Sequence, residues 1–158
     1  MPPFGVYNLD EYPEYKQFIT MDTERDILFL IKANAPINTE AYTYAQTQMY
    51  SGKVRFLIDE NQAKTKLMST KVGQNMTPDK RAEELMPFTQ TTILKDQMLN
   101  LVEENEGANI ILKQSNKGIK KDKFSAFEYG MYYVKQEEDR KKKRKKRNIA
   151  EMVFYSGS

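Results

Sequence analysis

The chain contains neither cysteine nor histidine. Without cysteine there are no disulfides, no thiolate zinc sites and no cysteine nucleophile. Without histidine the commonest general base is gone, and with it the Ser-His-Asp arrangement and imidazole metal ligands. Any bound metal must therefore sit on oxygen, and carboxylates favour hard ions such as Mg²⁺ or Mn²⁺. Long hydrophobic runs are also missing. No stretch approaches the ~20 apolar residues that span a bilayer, which argues against a membrane partner. The segment Met1-Pro2-Pro3-Phe4-Gly5 has neither the basic nor the apolar region of a signal peptide. No glycine-rich phosphate loop is present, so the chain holds no ATPase engine. These absences lead to the expectation of a soluble, intracellular protein.

What the sequence does hold is enough apolar material for one modest core: 39% of 158 residues, against 30% charged. The net charge of +3 hides an asymmetry. Arg140, Lys141, Lys142, Lys143, Arg144, Lys145, Lys146 and Arg147 form an unbroken cationic run, and outside it seventeen basic residues face twenty-two acidic ones. Neighbouring cations repel one another unless an anionic surface neutralises them, so such a run points to nucleic-acid phosphates without base preference. A solvated helix end and a membrane surface are the competing readings. No aromatic residue interrupts the run, which leaves out a base-stacking platform.

Periodicity suggests an α/β chain. Asp26–Lys32 and Val54–Ile58 are short apolar runs of strand length, and Asn109–Gln114 is a third. Between the first two, Ala41, Ala45 and Met49 recur at four-residue spacing after a cap at Asn38 or Thr39, and Gly52 ends that helix. The resulting strand–helix–strand unit implies parallel pairing of the flanking strands. A short helix is expected from Asp59 or Glu60 to Met68, then a loop through Met76 containing Gly73. Thr77-Pro78 opens the next helix with a capping residue and proline at the first helical position. Pro87 is expected to break it, with helical spacing resuming through Leu101. Asp122 can cap a last, longest helix, whose face carries Phe124, Phe127, Met131 and Val134. Its stripe stops near Glu137, and the basic stretch beyond is expected to project into solvent or fray. One domain over residues 1–147 with a tail at 148–158 fits this pattern.

Few residues offer chemistry. Asp122 stands among Lys120, Lys121 and Lys123, cations that keep it ionised. It reads either as a helix cap or as a metal ligand, and one carboxylate cannot hold a two-metal centre. Asp59-Glu60 and Glu103-Glu104 are paired acids, the second pair read at a helix end, and both suit a solvated surface. Tyr129, Tyr132 and Tyr133 suit helix packing, with phenols at the rim within reach of a backbone phosphate.

The stretch Lys120-Lys121-Asp122-Lys123-Phe124-Ser125-Ala126-Phe127-Glu128-Tyr129-Gly130-Met131-Tyr132-Tyr133 resembles the K-D-R-[FY]-S-A-L-x-Y-G-x-Y-Y pattern that closes the nuclease domain of phage terminase large subunits. Lys123 stands for the arginine and Phe127 for the leucine. Three further blocks agree in order. Leu30–Ala35 with Asn38 resembles I-K-A-N-x-x-x-N, Ser51–Ile58 resembles S-G-K-[IV]-x-L-L-I, and Thr91–Leu101 resembles T-D-x-L-I-x-E-M-x-N-L. The resemblance spans about residues 5 to 134 and implies part of an RNase H-like fold: a mixed sheet flanked by helices, with a long C-terminal helix. It further implies a metal-dependent endonuclease (a phosphodiester hydrolase) that cuts concatemeric viral DNA in the host cytoplasm. Its clustered carboxylates would bind Mg or Mn, and a separate upstream ATPase segment would drive packaging.

By the same resemblance Asp122 matches the last acidic metal ligand and is the candidate catalytic residue. Lys120, Lys121 and Lys123, with the run from Arg140 to Arg147, would hold double-stranded viral DNA. Asp96 falls where the third block has glutamate and reads as structural. The family's first acid lies well upstream. Its second precedes a glycine-rich turn whose tail Gly5-Val6-Tyr7 resembles, so this chain is expected to begin after both. Two alternatives follow from the missing acids. One is a non-catalytic module binding DNA, the portal or a small terminase subunit. The other is one half of a split terminase.

Overall fold

The computed structural model describes residues 5–18 and 26–155, with the side chains of 18, 26, 27 and 145–155 outside that description. The architecture is mixed α/β and divides into two compact units, residues 1–34 and 35–158. Strands are few and short; helices dominate.

In the first unit β1 (Gly5–Val6) pairs in parallel with β2 (Asp26–Leu28). The ladder continues through Tyr7, whose N–H donates to the Leu28 carbonyl at 2.9 Å. Asn8 then takes over with its side chain. Its Oδ1 accepts from the Leu30 N–H at 2.9 Å and its Nδ2 donates to the Leu30 carbonyl at 2.8 Å. A buried amide with matched donor and acceptor thus mimics one more rung of backbone; Asn8 is only 4% exposed. Two short 3₁₀ turns, Leu9–Glu11 and Pro13–Phe18, follow β1.

The second unit begins with α1 (Ala35–Tyr50). The helix starts three residues earlier than its expected cap, because Pro36 falls in the first turn, where a missing N–H costs nothing. Ala41 and Ala45 are fully buried, and their small side chains let α1 approach the last helix closely. Its C-terminus is closed by two bonds, Gly52 N–H to the Met49 carbonyl and Lys53 N–H to the Gln48 carbonyl, both 3.0 Å. This is a Schellman cap, and it requires the left-handed φ of +69° that Gly52 supplies.

Residues 53–59 contain no strand, contrary to the expectation for Val54–Ile58. Their side chains nevertheless alternate: Val54, Phe56 and Ile58 are half-buried, while Arg55 and Leu57 are exposed. The alternation that suggested a strand is therefore real. What is missing is a neighbouring backbone among the described residues, since β2 pairs with β1 instead. The expected parallel β–α–β unit is not formed.

Helix α2 (Glu60–Met68) is capped by Asp59, which accepts from the Asn61 N–H at 2.8 Å. The expected loop after it contains α3 (Lys71–Asn75), capped by Thr70. Gly73 serves there as a close-approach residue rather than a turn residue. A Cβ on it would lie 2.0 Å from the Leu67 carbonyl oxygen. Helix α4 (Pro78–Leu99) opens on the Thr77 cap with Pro78 at its start, as the sequence indicates. It is not broken at Pro87. That residue is exposed, so its ring points away from packed neighbours. One lost backbone bond does not outweigh the packing of α4 on α2 and on the last helix.

The sheet of this unit is an antiparallel hairpin, β3 (Leu101–Glu106) with β4 (Asn109–Gln114). The third expected strand is present, but its partner had been read as a helix end, so Glu103 and Glu104 lie on a strand. Gly107 at φ +60° followed by Ala108 at negative φ joins the two in a two-residue turn of the II′ kind. Helix α5 (Asp122–Tyr155) runs for 34 residues, about 51 Å, and packs on α1 and α4. The basic stretch is helical. Arg140 pairs with Glu137 at 2.7 Å, and Lys142 with Asp139 at 3.5 Å and Glu138 at 3.8 Å. Such i,i+3 and i,i+4 pairs tie the start of the cationic run to the turn before it.

Candidate functional site

The resemblance places its chemistry at the start of α5, and three separate contacts build that point. The first is a cap. Gln97 on α4 is 6% exposed, and its Oε1 accepts from the Lys123 N–H at 2.9 Å and the Phe124 N–H at 3.0 Å. These are unsatisfied donors of the first helical turn. Capping is thus supplied from another helix, not by Asp122. Asp122 is the first residue of α5, and its side chain is exposed.

The second contact fixes the loop leading in. Asn100 is 8% exposed. Its Nδ2 donates to the Asn116 carbonyl at 2.9 Å, its Oδ1 accepts from the Asn116 N–H at 2.8 Å, and its own carbonyl accepts from Ser115 at 2.8 Å. The third sits one turn along α5. Phe124, 2% exposed, meets Tyr42 of α1 edge-on at 6.4 Å, and Phe127 meets Phe56 at 5.7 Å. The Tyr129 hydroxyl then donates to Asn38 at 3.1 Å.

Of the lysines beside Asp122, Lys120 and Lys121 are exposed. Lys123 is half-buried and turns back to α4, where its ammonium donates to Gln90. Only Lys120 and Lys121 are therefore presented to solvent. In the cationic run, Lys141, Lys142, Lys143 and Arg144 are exposed, and Arg140 and Lys142 pair with acids one turn earlier. The side chains of Lys145, Lys146 and Arg147 lie outside the described residues.

Among the described residues no three acidic side chains come together to hold a metal ion. Asp96 is an exposed residue of α4, and Glu103 belongs to the hairpin. A two-metal centre needs several converging carboxylates, so the described residues do not by themselves fit one. No described helix is long and apolar enough to cross a membrane.

One acid that sequence reasoning passed over is Glu128. It is 6% exposed on α5, one turn beyond Phe124 and on the same face. Burial pushes its carboxyl up to about 7, with Lys121 pulling weakly the other way. The signal was present: four residues separate Phe124 from Glu128, a core spacing. Comparison of the chain with protein-family models, with curated proteins and with solved structures found no match.

Proposed function

We propose that this chain is the C-terminal portion of the RNase H-like nuclease domain of a viral DNA-packaging terminase large subunit. In this reading it meets duplex DNA in the host cytoplasm through Lys120, Lys121 and the exposed cations of α5. Supporting the reading is the convergence of the resemblance blocks. Residues of all three upstream blocks touch the first turns of α5: Asn38 through Tyr129, Phe56 through Phe127, and Gln97 through Lys123 and Phe124. Lys95 also donates to the Leu57 carbonyl at 2.8 Å, joining two of the upstream blocks. Blocks matched only by order along the chain thus share one neighbourhood.

A second reading, a non-catalytic DNA-binding module, is favoured by the lone carboxylate at Asp122. Both readings make the cations bind phosphate. If roughly six of the eight residues in the run contact phosphates, the logarithm of the affinity falls against the logarithm of salt with a slope of about −5. A slope near zero in a fluorescence-anisotropy titration with duplex DNA removes both. The isolated chain is expected to cut plasmid weakly or not at all with Mn²⁺, because the described residues bring no cluster of three acids together. Vigorous cutting that disappears in Asp122→Ala would mean other carboxylates complete the site. Mn²⁺ line broadening separates the two readings. Selective broadening of amides 121–124, lost in Asp122→Asn, favours the nuclease portion; its absence favours the module.

A further inference from the structure

A cleft of about 330 Å³ lies between α1, the end of α4, the hairpin and the start of α5. The DNA-binding reading makes no use of it. Its walls include Met49, Met98 and Phe124, and three polar side chains from α1 and β3 join at one end. Tyr42 donates its hydroxyl hydrogen to Glu103 Oε1. Gln46 Nε2 donates to the same oxygen at 2.9 Å and to the Tyr42 hydroxyl at 3.1 Å. Two donors on one oxygen hold the carboxylate in a fixed direction and leave Oε2 outside these bonds. Burial, and then the bond to Glu103, raise the Tyr42 phenol above its ordinary value, so it stays neutral with its hydrogen on the carboxylate.

We propose that this cleft receives an arginine side chain of a partner polypeptide, with the guanidinium on Glu103 and the aliphatic stem along Met49 and Met98. The guanidinium fork matches a carboxylate edge and keeps its charge at every relevant pH. Methionine walls adapt to an unbranched stem, and the volume lies in the range of small-ligand sites. Charge decides the sign of the occupant. Glu103 is the charged residue lining the cleft, and the chain outside its cationic run carries an acidic excess. A phosphate or nucleotide is repelled there, while a basic segment is attracted.

The test uses the full chain, isotope-labelled, titrated with N-acetyl-arginine methylamide and followed by amide shifts. Saturable shifts at residues lining the cleft are expected, with a Kd on the order of a millimolar for so small a ligand. The neutral citrulline analogue gives none. Glu103→Gln, on an exposed strand where the fold tolerates it, weakens binding about five-fold, the worth of one exposed charge-assisted pair. Met98→Trp, which fills the cleft, abolishes it. Absent saturation, equal binding of citrulline, or unchanged affinity in both variants overturns the proposal. Tighter binding of free zwitterionic arginine than of the capped form overturns the polypeptide as its source.

Discussion

Glu128→Gln isolates the cost of one buried carboxylate. The carboxyl moves from 4.5 to about 7 on folding, and burial is the leading cause. A shift of that size corresponds to roughly 3 kcal/mol between its two protonation states, at about 1.36 kcal/mol per pH unit. The direction follows from proton linkage. The folded chain holds the proton between pH 4.5 and about 7, where the unfolded chain has released it. Folding therefore binds a proton in this window, and stability falls as pH rises through it. Below the window the charge is absent from both states and costs nothing. Above it the full penalty is present and constant. Glutamine keeps the shape and removes the charge, so the variant differs little from the parent at pH 4. At pH 8 it is more stable by up to about 3 kcal/mol, which for a chain of this size is a rise of roughly 6–12 °C in Tm. Urea unfolding followed by helical circular dichroism, run on both proteins from pH 4 to 8, reads this difference free of other titrating groups. A difference that does not change with pH refutes the reasoning. So does a variant less stable than the parent at pH 8.

Two further substitutions test how the helices are seated. Gly73→Ala drives a Cβ into the Leu67 carbonyl, 2.0 Å away, and the backbone cannot give as a flexible side chain would. A loss of about 2–3 kcal/mol in urea unfolding is expected, and a neutral result shows that α2 and α3 are not this close. Gln97→Ala removes the cap of α5 and costs about 1–2 kcal/mol. Its mark is local: faster amide exchange at Lys123 and Phe124 than elsewhere in α5. Uniform acceleration along the helix contradicts the capping role.

The sequence made the helices legible because their signals are local. Thr77-Pro78, Asp59 and Gly52 each act within one turn of their own position, and the structure uses them as caps. The strands were harder because a strand needs a partner that its own residues do not name. Val54–Ile58 carries the right alternation without a ladder. Leu101–Glu106 is rich in glutamate, a residue of low strand preference, and follows a helix without a break, so it read as more helix. Its turn glycine, Gly107, fits the end of a helix as well as a hairpin. Gly73 was placed in a loop because a glycine does not announce whether it supplies a positive φ or a missing side chain.

The start of α5 shows how a candidate site depends on residues that carry no chemistry. Asp122 has the residue type that a metal ligand needs, but its position is set elsewhere. Gln97 fixes the first turn from α4, Asn100 fixes the loop through Asn116, and Phe127 fixes the second turn against Phe56. Two of these anchors lie at the end of α4 and one at Phe56, and none touches the Asp122 side chain. Because Gln97 satisfies the helix donors, the Asp122 carboxylate is not needed as a cap and faces solvent. A cap would have turned the carboxylate inward, onto its own backbone, and withdrawn it from any outside partner. Borrowing the cap from α4 relieves Asp122 of that duty. The structural duty falls to a neutral amide, and the charge is left for whatever approaches from outside.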